Sequence, residues 1–217
     1  HGIYIKERKA LMGETVIQVS SLGKRIKGKT ILEDISFEIN KGDCVALIGP
    51  NGAGKTVLMS CILGDKKPSN GQVLIEGKAG KAKNQIAVLL QENTIPNSLK
   101  VEELIAFFQA ISDNPLTNQE VQNLLQFKED QYQQFADKLS GGQRRLLAFV
   151  LCLIDKPKIL FLDEPTAGMD TSTRQRFWEI VNDLKKAGTT ILYSSHYIEE
   201  VEHTADRILV LHQGKLI

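Results

Sequence analysis

No run of apolar residues in the sequence is long enough to cross a membrane. The longest candidate, LLAFVLCLI at residues 146–154, is about half as long as the ~18 residues that a spanning helix needs. A secretory signal is also lacking, because the first residues, HGIYIKERKALMGE, are mostly polar or charged. We therefore expect neither a membrane-spanning helix nor a secretory leader, and we expect residues 1–14 to be a tag or a disordered extension.

Cysteine is scarce, and its spacing is not that of a metal site. Cys44, Cys61 and Cys152 are the only cysteines, and none forms a C-x-x-C pair. Each lies in an apolar stretch, so we expect buried, reduced thiols. This use of cysteine is typical of a cytosolic protein.

An excess of charge of either sign is lacking as well. The 217 residues include 27 Lys and Arg against 26 Asp and Glu, which gives a formal net charge of +1. This balance argues against a nucleic-acid partner and against attraction to an anionic membrane surface. Apolar residues make up 42% of the chain, which is enough for a sizeable core.

The first part of the chain has the patterns of strands. TILEDISFEI at residues 30–39 alternates apolar and polar side chains, whereas GDCVALIG at 42–49 is a nearly continuous apolar run. Alternation predicts a strand with one buried face, and the continuous run predicts a strand buried on both faces. KTVLMSCILG then predicts a helix that ends at Gly64.

A helical block follows, from about residue 98 to 153. Ser98 is a candidate N-cap there, and Thr117 with Glu120 has the spacing of a capping box. Strand character returns in KILFLDEP and TTILYSSH, with a helical pattern between them. This alternation predicts an α/β fold with a mainly parallel sheet, right-handed crossovers and an inserted helical block.

The stretch GPNGAGKT at residues 49–56 matches the phosphate-loop pattern G-x-x-x-x-G-K-[ST]. Its glycines let the backbone curl around phosphate oxygens, Lys55 can reach the outer phosphates, and the Thr56 hydroxyl can bind Mg²⁺. The alternative is a glycine-rich turn without a ligand. The apolar strand before the stretch and the helix after it favour the phosphate loop.

Two adjacent carboxylates follow the apolar run of ILFLDEP. Asp163 at the end of a buried strand can hold Mg²⁺ directly or through water. Glu164 can polarise an attacking water, and since alternate strand residues point to opposite faces, the two carboxylates need not share one role. The alternative is a solvated acidic strand end before a proline turn.

Two further polar residues close predicted strands. His196 ends TTILYSSH at the edge of the sheet where ligands bind in open α/β folds, and it can hydrogen-bond a γ-phosphate or an attacking water. Gln91 ends QIAVLLQ and can ligate Mg²⁺ or water. Taken alone, a satisfied or surface histidine and a polar strand terminator are the simpler interpretations.

A second glycine-rich helix start, LSGGQRR, lies at residues 139–145. Ser140 and the N–H groups of Gly141 and Gly142 can receive phosphate oxygens at a helix N-terminus. The simpler interpretation is helix capping by Ser140. We expect at least one of the two following arginines, at 144 and 145, to belong to a solvated helix face.

The order of these motifs resembles that of an ABC-transporter nucleotide-binding domain. The motifs are GPNGAGKT, Gln91, LSGGQ, ILFLDEP, AGMD and His196, and the resemblance covers about residues 15–217. LSGGQ is highly specific to that family. The resemblance implies an α/β P-loop NTPase fold with a mainly parallel central sheet, an N-terminal antiparallel β portion, and an α-helical subdomain inserted at about 92–153.

The resemblance also implies ATP and Mg²⁺ as cofactors and assigns a role to each matching residue. The implied catalytic residues are Glu164 and the switch histidine His196. The residues implied to contact nucleotide in the bound dimer are Asn51, Gly52, Gly54, Lys55, Thr56, Gln91, Ser140, Gly141, Gly142 and Asp170. The implied Mg²⁺ ligands are Thr56, Gln91 and Asp163. In this scheme LSGGQ of a second copy, arranged head to tail, closes over the γ-phosphate.

One departure from the family pattern concerns the adenine base. Where the family has an aromatic residue that stacks on the base, this sequence has Ile26, next to Arg25. Loss of base stacking removes about 1–3 kcal/mol by analogy with nucleic acids, although Arg25 can stack instead. We therefore expect weak base selectivity and modest nucleotide affinity.

The region after LSGGQ looks like the ATPase subunits of bacterial two-component exporters for drugs or antibiotics. The expected partners are transmembrane permease subunits and a second copy or a paralogous ATPase subunit, at the inner face of the cell membrane. An importer subunit and a regulatory ATPase of the same family are alternatives. A soluble P-loop kinase is a further alternative, but it leaves LSGGQ without a role.

Overall fold

The structure, a computed structural model, describes residues 13–76, 85–92 and 95–217. Most of the expected tag or extension at 1–14 lies outside the described residues. The strands are β1 (Thr15–Ile26), β2 (Lys29–Asn40), β3 (Cys44–Ile48), β4 (Asn70–Ile75), β5 (Ile86–Leu89), β6 (Ile159–Leu162), β7 (Thr190–Ser195), β8 (Arg207–His212) and β9 (Lys215–Leu216). The helices are α1 (Lys55–Leu63), α2 (Val101–Ala110), α3 (Asn118–Leu125), α4 (Glu129–Tyr132), α5 (Gly141–Leu153), α6 (Thr171–Lys186) and α7 (Ile198–Thr204), with a 3₁₀ turn at Ala136–Lys138.

The described strands form two sheets, one of six strands and one of three. The larger has the strand order β5-β6-β7-β3-β8-β9, in which β5 to β8 are parallel and β9 returns antiparallel to β8. The smaller is antiparallel, with the order β2-β1-β4. Helices α2 to α5 are inserted between β5 and β6. The predicted fold class, including its antiparallel portion and inserted helices, is therefore confirmed.

The two faces of the larger sheet bury separate cores. In β3, Ala46 packs in the core on the side of the helical block, whereas Val45 and Leu47 pack in the core shared with α1 and the antiparallel sheet. The side chains of β6 alternate in the same way: Leu162 packs in the core beside the helical block, and Phe161 packs in the core shared with α1. Burial on both faces explains the nearly continuous apolar run of the sequence, as predicted.

The helix ends agree with the sequence in two places and differ in one. Gly64 ends α1 in the left-handed conformation, and Thr117 with Glu120 forms the reciprocal capping box of α3. Ser98 is not the cap of α2, because that helix begins at Val101. The Lys100 N–H donates to the Glu103 carboxylate at 2.8 Å and so takes the place of the predicted cap.

The three cysteines are free thiols, but their burial differs. Cys44 and Cys61 are buried as predicted, whereas Cys152 in α5 is only half-buried, so the prediction was wrong for that residue. Burial raises the pKa of the Cys44 thiol to about 12. Within the three described ranges, no helix is both long and apolar enough to span a membrane.

Candidate functional site

The phosphate loop joins β3 to α1 and depends on glycine for its shape. Gly52 and Gly54 have φ angles of 83° and 105°, in the left-handed region that glycine adopts without strain. A Cβ atom on Gly54 would also come within 2.9 Å of the Leu32 side chain. The loop therefore needs glycine at position 54 for both its conformation and its packing.

Lys55 is buried at the start of α1 and reaches back over the loop. Its Nζ donates to the carbonyls of Gly49 and Pro50, the latter at 3.3 Å. The same Nζ lies 3.7 Å from Oε1 of Glu164. The lysine thus lies between the loop backbone, where phosphates bind in such folds, and the second of the two predicted carboxylates.

The two carboxylates converge on the N-terminus of α1. The Thr56 hydroxyl donates to Oδ2 of Asp163 at 3.0 Å, and Glu164 lies beside Lys55. The two acids have different partners, which agrees with the prediction that they need not share one role. Strand β6 ends at Leu162, so Glu164 lies in a turn beyond it with a left-handed φ of 47°. This turn in the backbone brings both acids to one end of the sheet.

Ser194 in β7 connects the two acids and was not among the residues predicted for the site. Its hydroxyl donates to Oδ1 of Asp163 at 2.6 Å and accepts from the Glu164 N–H at 2.9 Å. Ser194 is fully buried, so both hydrogen bonds are shielded from water. Its only signal in the sequence was a polar residue at an inward position of an apolar strand.

We expect Ser194→Ala to destabilise the protein by about 1–3 kcal/mol, because it leaves the buried Glu164 N–H without its acceptor. For a chain of this size, thermal unfolding should shift down by about 2–4 °C for each kcal/mol. Ser195→Ala is the matched control, since Ser195 is also buried but accepts from the nearby, partly buried Tyr197 N–H at 3.0 Å. Equal melting temperatures for the two variants would contradict this account.

His196 and Gln91 both lie at this end of the sheet. Nδ1 of His196 is 2.9 Å from Oε2 of Glu164, and its ring contacts that of Tyr197, with the centroids 4.0 Å apart and the planes tilted by 38°. Gln91 lines a cleft of about 450 Å³ together with Lys55, Glu164 and the phosphate loop. The structure thus brings both predicted residues to the phosphate loop.

The LSGGQ motif lies at the start of α5 and caps it. The Ser140 hydroxyl accepts from the Gln143 N–H at 3.1 Å, and the Ser140 N–H donates back to the Gln143 side chain at 3.2 Å. A Cβ on Gly141 would meet open space, whereas one on Gly142 would lie 3.1 Å from Cα of Met169. Among the described residues that line the phosphate-loop cleft, none comes from this motif.

Asp170 is the N-cap of α6. Its carboxylate accepts from the Thr173 N–H at 2.8 Å, and this hydrogen bond lowers the pKa of the carboxyl. The structure thus shows a capping role for Asp170. It also lies close to the LSGGQ motif, because Gly142 packs against the preceding residues Gly168 and Met169.

The two arginines after LSGGQ have different environments. Arg144 is half-buried and donates to the Asn97 side chain at 2.9 Å. Arg145 is buried, with 9% of its surface exposed, and donates to backbone carbonyls beyond the ends of β5 and β6. The predicted solvated helix face therefore applies to Arg144 at most, and not to Arg145.

The donor set fits Mg²⁺ held together with nucleotide phosphates. Mg²⁺ prefers oxygen ligands and is commonly bound by one or two carboxylates plus phosphate oxygens. Thr56 and Asp163 present a hydroxyl and a carboxylate side by side. Nowhere in the described part of the chain, this cleft included, does a group of three or more His, Cys, Asp or Glu side chains lie in a position to hold a metal ion.

A larger cavity of about 710 Å³ lies at the amino ends of β6 and β7 and is lined by parts of α3 and α6. Ligands in open α/β sheets bind at the carboxyl ends of the strands. The phosphate loop, the two carboxylates and His196 are all at the carboxyl ends. We therefore assign the functional site to the smaller cleft.

These features define a P-loop nucleotide-binding module with an inserted helical block. Residues 32–167 match the family model described as ABC transporter. The chain is 32% identical over 94% of its length to the probable multidrug ABC transporter ATP-binding protein YbhF of Escherichia coli, and 33% identical over 93% of its length to the linearmycin resistance ATP-binding protein LnrL of Bacillus subtilis. It spans 37% of the first relative and 68% of the second.

Solved structures agree with this relationship. An ATP binding subunit of an ABC transporter, 27% identical, superposes with a TM-score of 0.81 over 93% of this chain and 88% of that one. The chain belongs to the ABC transporter family. It contains the family's ATP-binding domain, in which the phosphate loop and LSGGQ are two separate helix starts.

Proposed function

We propose that the protein is the ATP-binding subunit of an ABC exporter and hydrolyses ATP in a head-to-tail dimer. The observation that carries the proposal is a chain of contacts at the phosphate-loop cleft. Lys55 and Glu164 line the cleft with 3.7 Å between Nζ and Oε1, and Nδ1 of His196 lies 2.9 Å from Oε2 of Glu164. A cation, a base and a hydrogen-bonding imidazole in one site are what hydrolysis of a phosphoanhydride needs.

The chemistry assigns each group a step. Glu164 takes a proton from water as the water oxygen bonds to the γ-phosphorus, and the bond from that phosphorus to the bridging oxygen breaks to leave ADP and phosphate. Lys55 offsets the negative charge of the outer phosphates. His196 fixes the Glu164 carboxylate through Oε2. Mg²⁺, held by Thr56, Gln91 and Asp163, supplies further charge stabilisation when bound.

A second copy would complete the site. Ser140, Gly141 and Gly142 do not line the cleft formed by their own phosphate loop, and Gly141 is exposed with open space beside it. A helix N-terminus in this state suits a γ-phosphate held by another copy, or by a paralogous subunit. Asp170, which caps α6 next to this motif, would lie at the same interface.

Export through separate transmembrane permease subunits is supported by the relatives, two of which are named for multidrug transport and linearmycin resistance. The protein would then lie in the cytoplasm, at the inner face of the membrane, through its permease. Residues 15–217 would form the nucleotide-binding domain, with a helical subdomain at about 92–153 and residues 1–14 outside it. An importer subunit or a regulatory ATPase of this family would use the same nucleotide site.

We expect ATP and GTP to compete for the site with dissociation constants within about tenfold of each other, because Ile26 provides no aromatic face for base stacking. Ile26 ends β1 and is half-buried, and Arg25 beside it is exposed. Competition titrations against a fluorescent nucleotide check this expectation. A strong preference for ATP together with tight binding would contradict it.

The dimer is tested best at Gly141, where a new side chain meets open space and leaves the fold intact. Aspartate is favourable at a helix N-terminus, so Gly141→Asp should fold normally but repel the γ-phosphate of the other copy. We expect a loss of turnover of about 10²-fold and unchanged nucleotide binding by the monomer. Steady-state ATPase rates and nucleotide titrations at low protein concentration measure the two quantities.

Gly141→Asn is the matched control for Gly141→Asp, since it adds a side chain of the same size without the charge. It should retain much more turnover than the aspartate variant. If both variants lose monomer nucleotide binding as strongly as turnover, LSGGQ acts within its own copy and the dimer proposal is wrong. Copurification of a protein with several spanning helices tests the permease partner separately.

A further inference from the structure

Arg145 is a buried cation whose hydrogen bonds go to the main chain of two other segments. It lies two residues after LSGGQ in α5, and one of its terminal nitrogens, Nη1, donates to the carbonyls of Leu90 and Gln91, the latter at 3.3 Å. The other, Nη2, donates to the Asp163 carbonyl at 2.9 Å and more weakly to that of Glu164 at 3.5 Å.

The carbonyls that Arg145 contacts lie just beyond the ends of two paired strands. The ladder between β5 and β6 ends at Leu89 and Leu162, followed by one hydrogen bond from the Asp163 N–H to the Leu89 carbonyl. Beyond this point the two segments of the chain form separate turns: the Gln91 turn after β5, and the turn after β6 that contains Asp163 and Glu164. The hydrogen bonds of the Arg145 guanidinium connect the two turns beyond the end of the strand ladder.

A guanidinium suits this position because its donors form a planar, rigid fork. Burial lowers the pKa of Arg145, and the charge of Asp163 opposes that shift. Its carbonyl partners offset the loss of water around the cation. A lysine has only one nitrogen and cannot bond to both turns in this geometry.

We propose that Arg145 is a positioning residue that links the first turns of α5 to both Gln91 and Glu164. A shift of LSGGQ, when a second copy binds to it, then moves the Gln91 turn and the catalytic carboxylate of the same chain together. The inference rests on the proposed function for its catalytic consequence. The mechanical link between the two turns depends only on the hydrogen bonds that Arg145 donates to both of them.

The test compares the variants Arg145→Lys and Arg145→Met with the unaltered protein, each as the full chain. We expect kcat for ATP to fall on the order of 10²-fold, because small misplacements of catalytic groups have effects of that size, with KM changed by less than about threefold. Amide hydrogen exchange, read by mass spectrometry, should become faster at residues 86–92 and 159–165 in the same variants. Both segments must change for the link to hold.

Arg176 provides the matched control. It is also an arginine of a helix that donates to main-chain carbonyls of another element, to Leu124 at 2.9 Å and Asn123 at 2.8 Å, but at α3 and away from the cleft. Arg176→Met should speed exchange near residues 118–126 and leave kcat unchanged. A lower melting temperature for Arg145→Met with normal kcat and normal exchange at 86–92 would overturn the proposal, as would a change in only one of the two segments.

The failures of the two proposals can be told apart. If the unaltered protein does not hydrolyse ATP, the proposed function is wrong, while the exchange rates of the Arg145 variants still decide the mechanical link. If neither variant folds, the milder Arg145→Gln, which keeps one amide donor, is compared with the unaltered protein by the same exchange measurement without nucleotide. Faster exchange at both 86–92 and 159–165 supports the link, and a change confined to one segment overturns it.

Discussion

Replacing Glu164 with glutamine is expected to reduce ATP turnover on the order of 10³-fold, the range found for loss of a general base. Nucleotide binding should persist, because glutamine keeps the size of the side chain and can still hydrogen-bond to His196. The variant should accumulate as an ATP-bound dimer, since the step that separates the two copies is blocked. Phosphate release and size-exclusion chromatography with and without ATP measure the two effects.

Glu179→Gln is the matched control for this experiment. Glu179 also has a basic partner, Arg176 at 3.0 Å, but it is exposed on α6. Its substitution should change neither turnover nor oligomeric state. If Glu164→Gln retains turnover close to that of the unaltered protein, the assignment of Glu164 as the base is wrong.

The second large effect is expected for Lys55→Met, which should abolish tight nucleotide binding. Truncating one partner of a buried, hydrogen-bonded charge pair costs about 2–5 kcal/mol, which corresponds to a loss of affinity of about 30-fold to several thousand-fold. Turnover should be lost as a consequence. A titration with a fluorescent nucleotide measures the affinity directly.

Lys185→Met controls for the removal of a lysine from a comparable environment. Lys185 donates to the Thr204 carbonyl at 2.8 Å and lies 3.2 Å from the Asp206 carboxylate, far along α6 from the cleft. This variant should bind nucleotide normally. Normal binding by Lys55→Met would show that the loop backbone alone holds the phosphates, and would contradict the role given to Lys55.

Local signals in the sequence predicted much of the fold. The apolar run of β3 predicted a strand buried on both faces, and the phosphate loop between that strand and α1 followed from its glycine spacing. Both signals depend on residues that are neighbours in the chain. Ser98 was a wrong prediction for a local reason as well, because the helix starts at Val101 and the Glu103 carboxylate accepts a hydrogen bond from the Lys100 N–H.

The parts of the site that could not be predicted depend on contacts between distant residues. Ser194 is separated from Asp163 by 31 residues, and its position on the inner side of β7 is fixed only when the sheet forms. The buried position of Arg145 could not be predicted either, because its carbonyl partners beyond the ends of β5 and β6 are as much as 55 residues away. The convergence of Asp163 and Glu164 required a backbone turn that no residue pattern signals.

That backbone turn places stability and activity in opposition at a single residue. A glutamate in the left-handed region carries a conformational cost of about 1–3 kcal/mol that glycine largely avoids, and Glu164 has this conformation with φ of 47°. Glu164→Gly would relieve this cost and would also remove the carboxylate that we propose as the base. Under the proposed function, the residue that holds the base is therefore also one at which the fold bears a conformational cost.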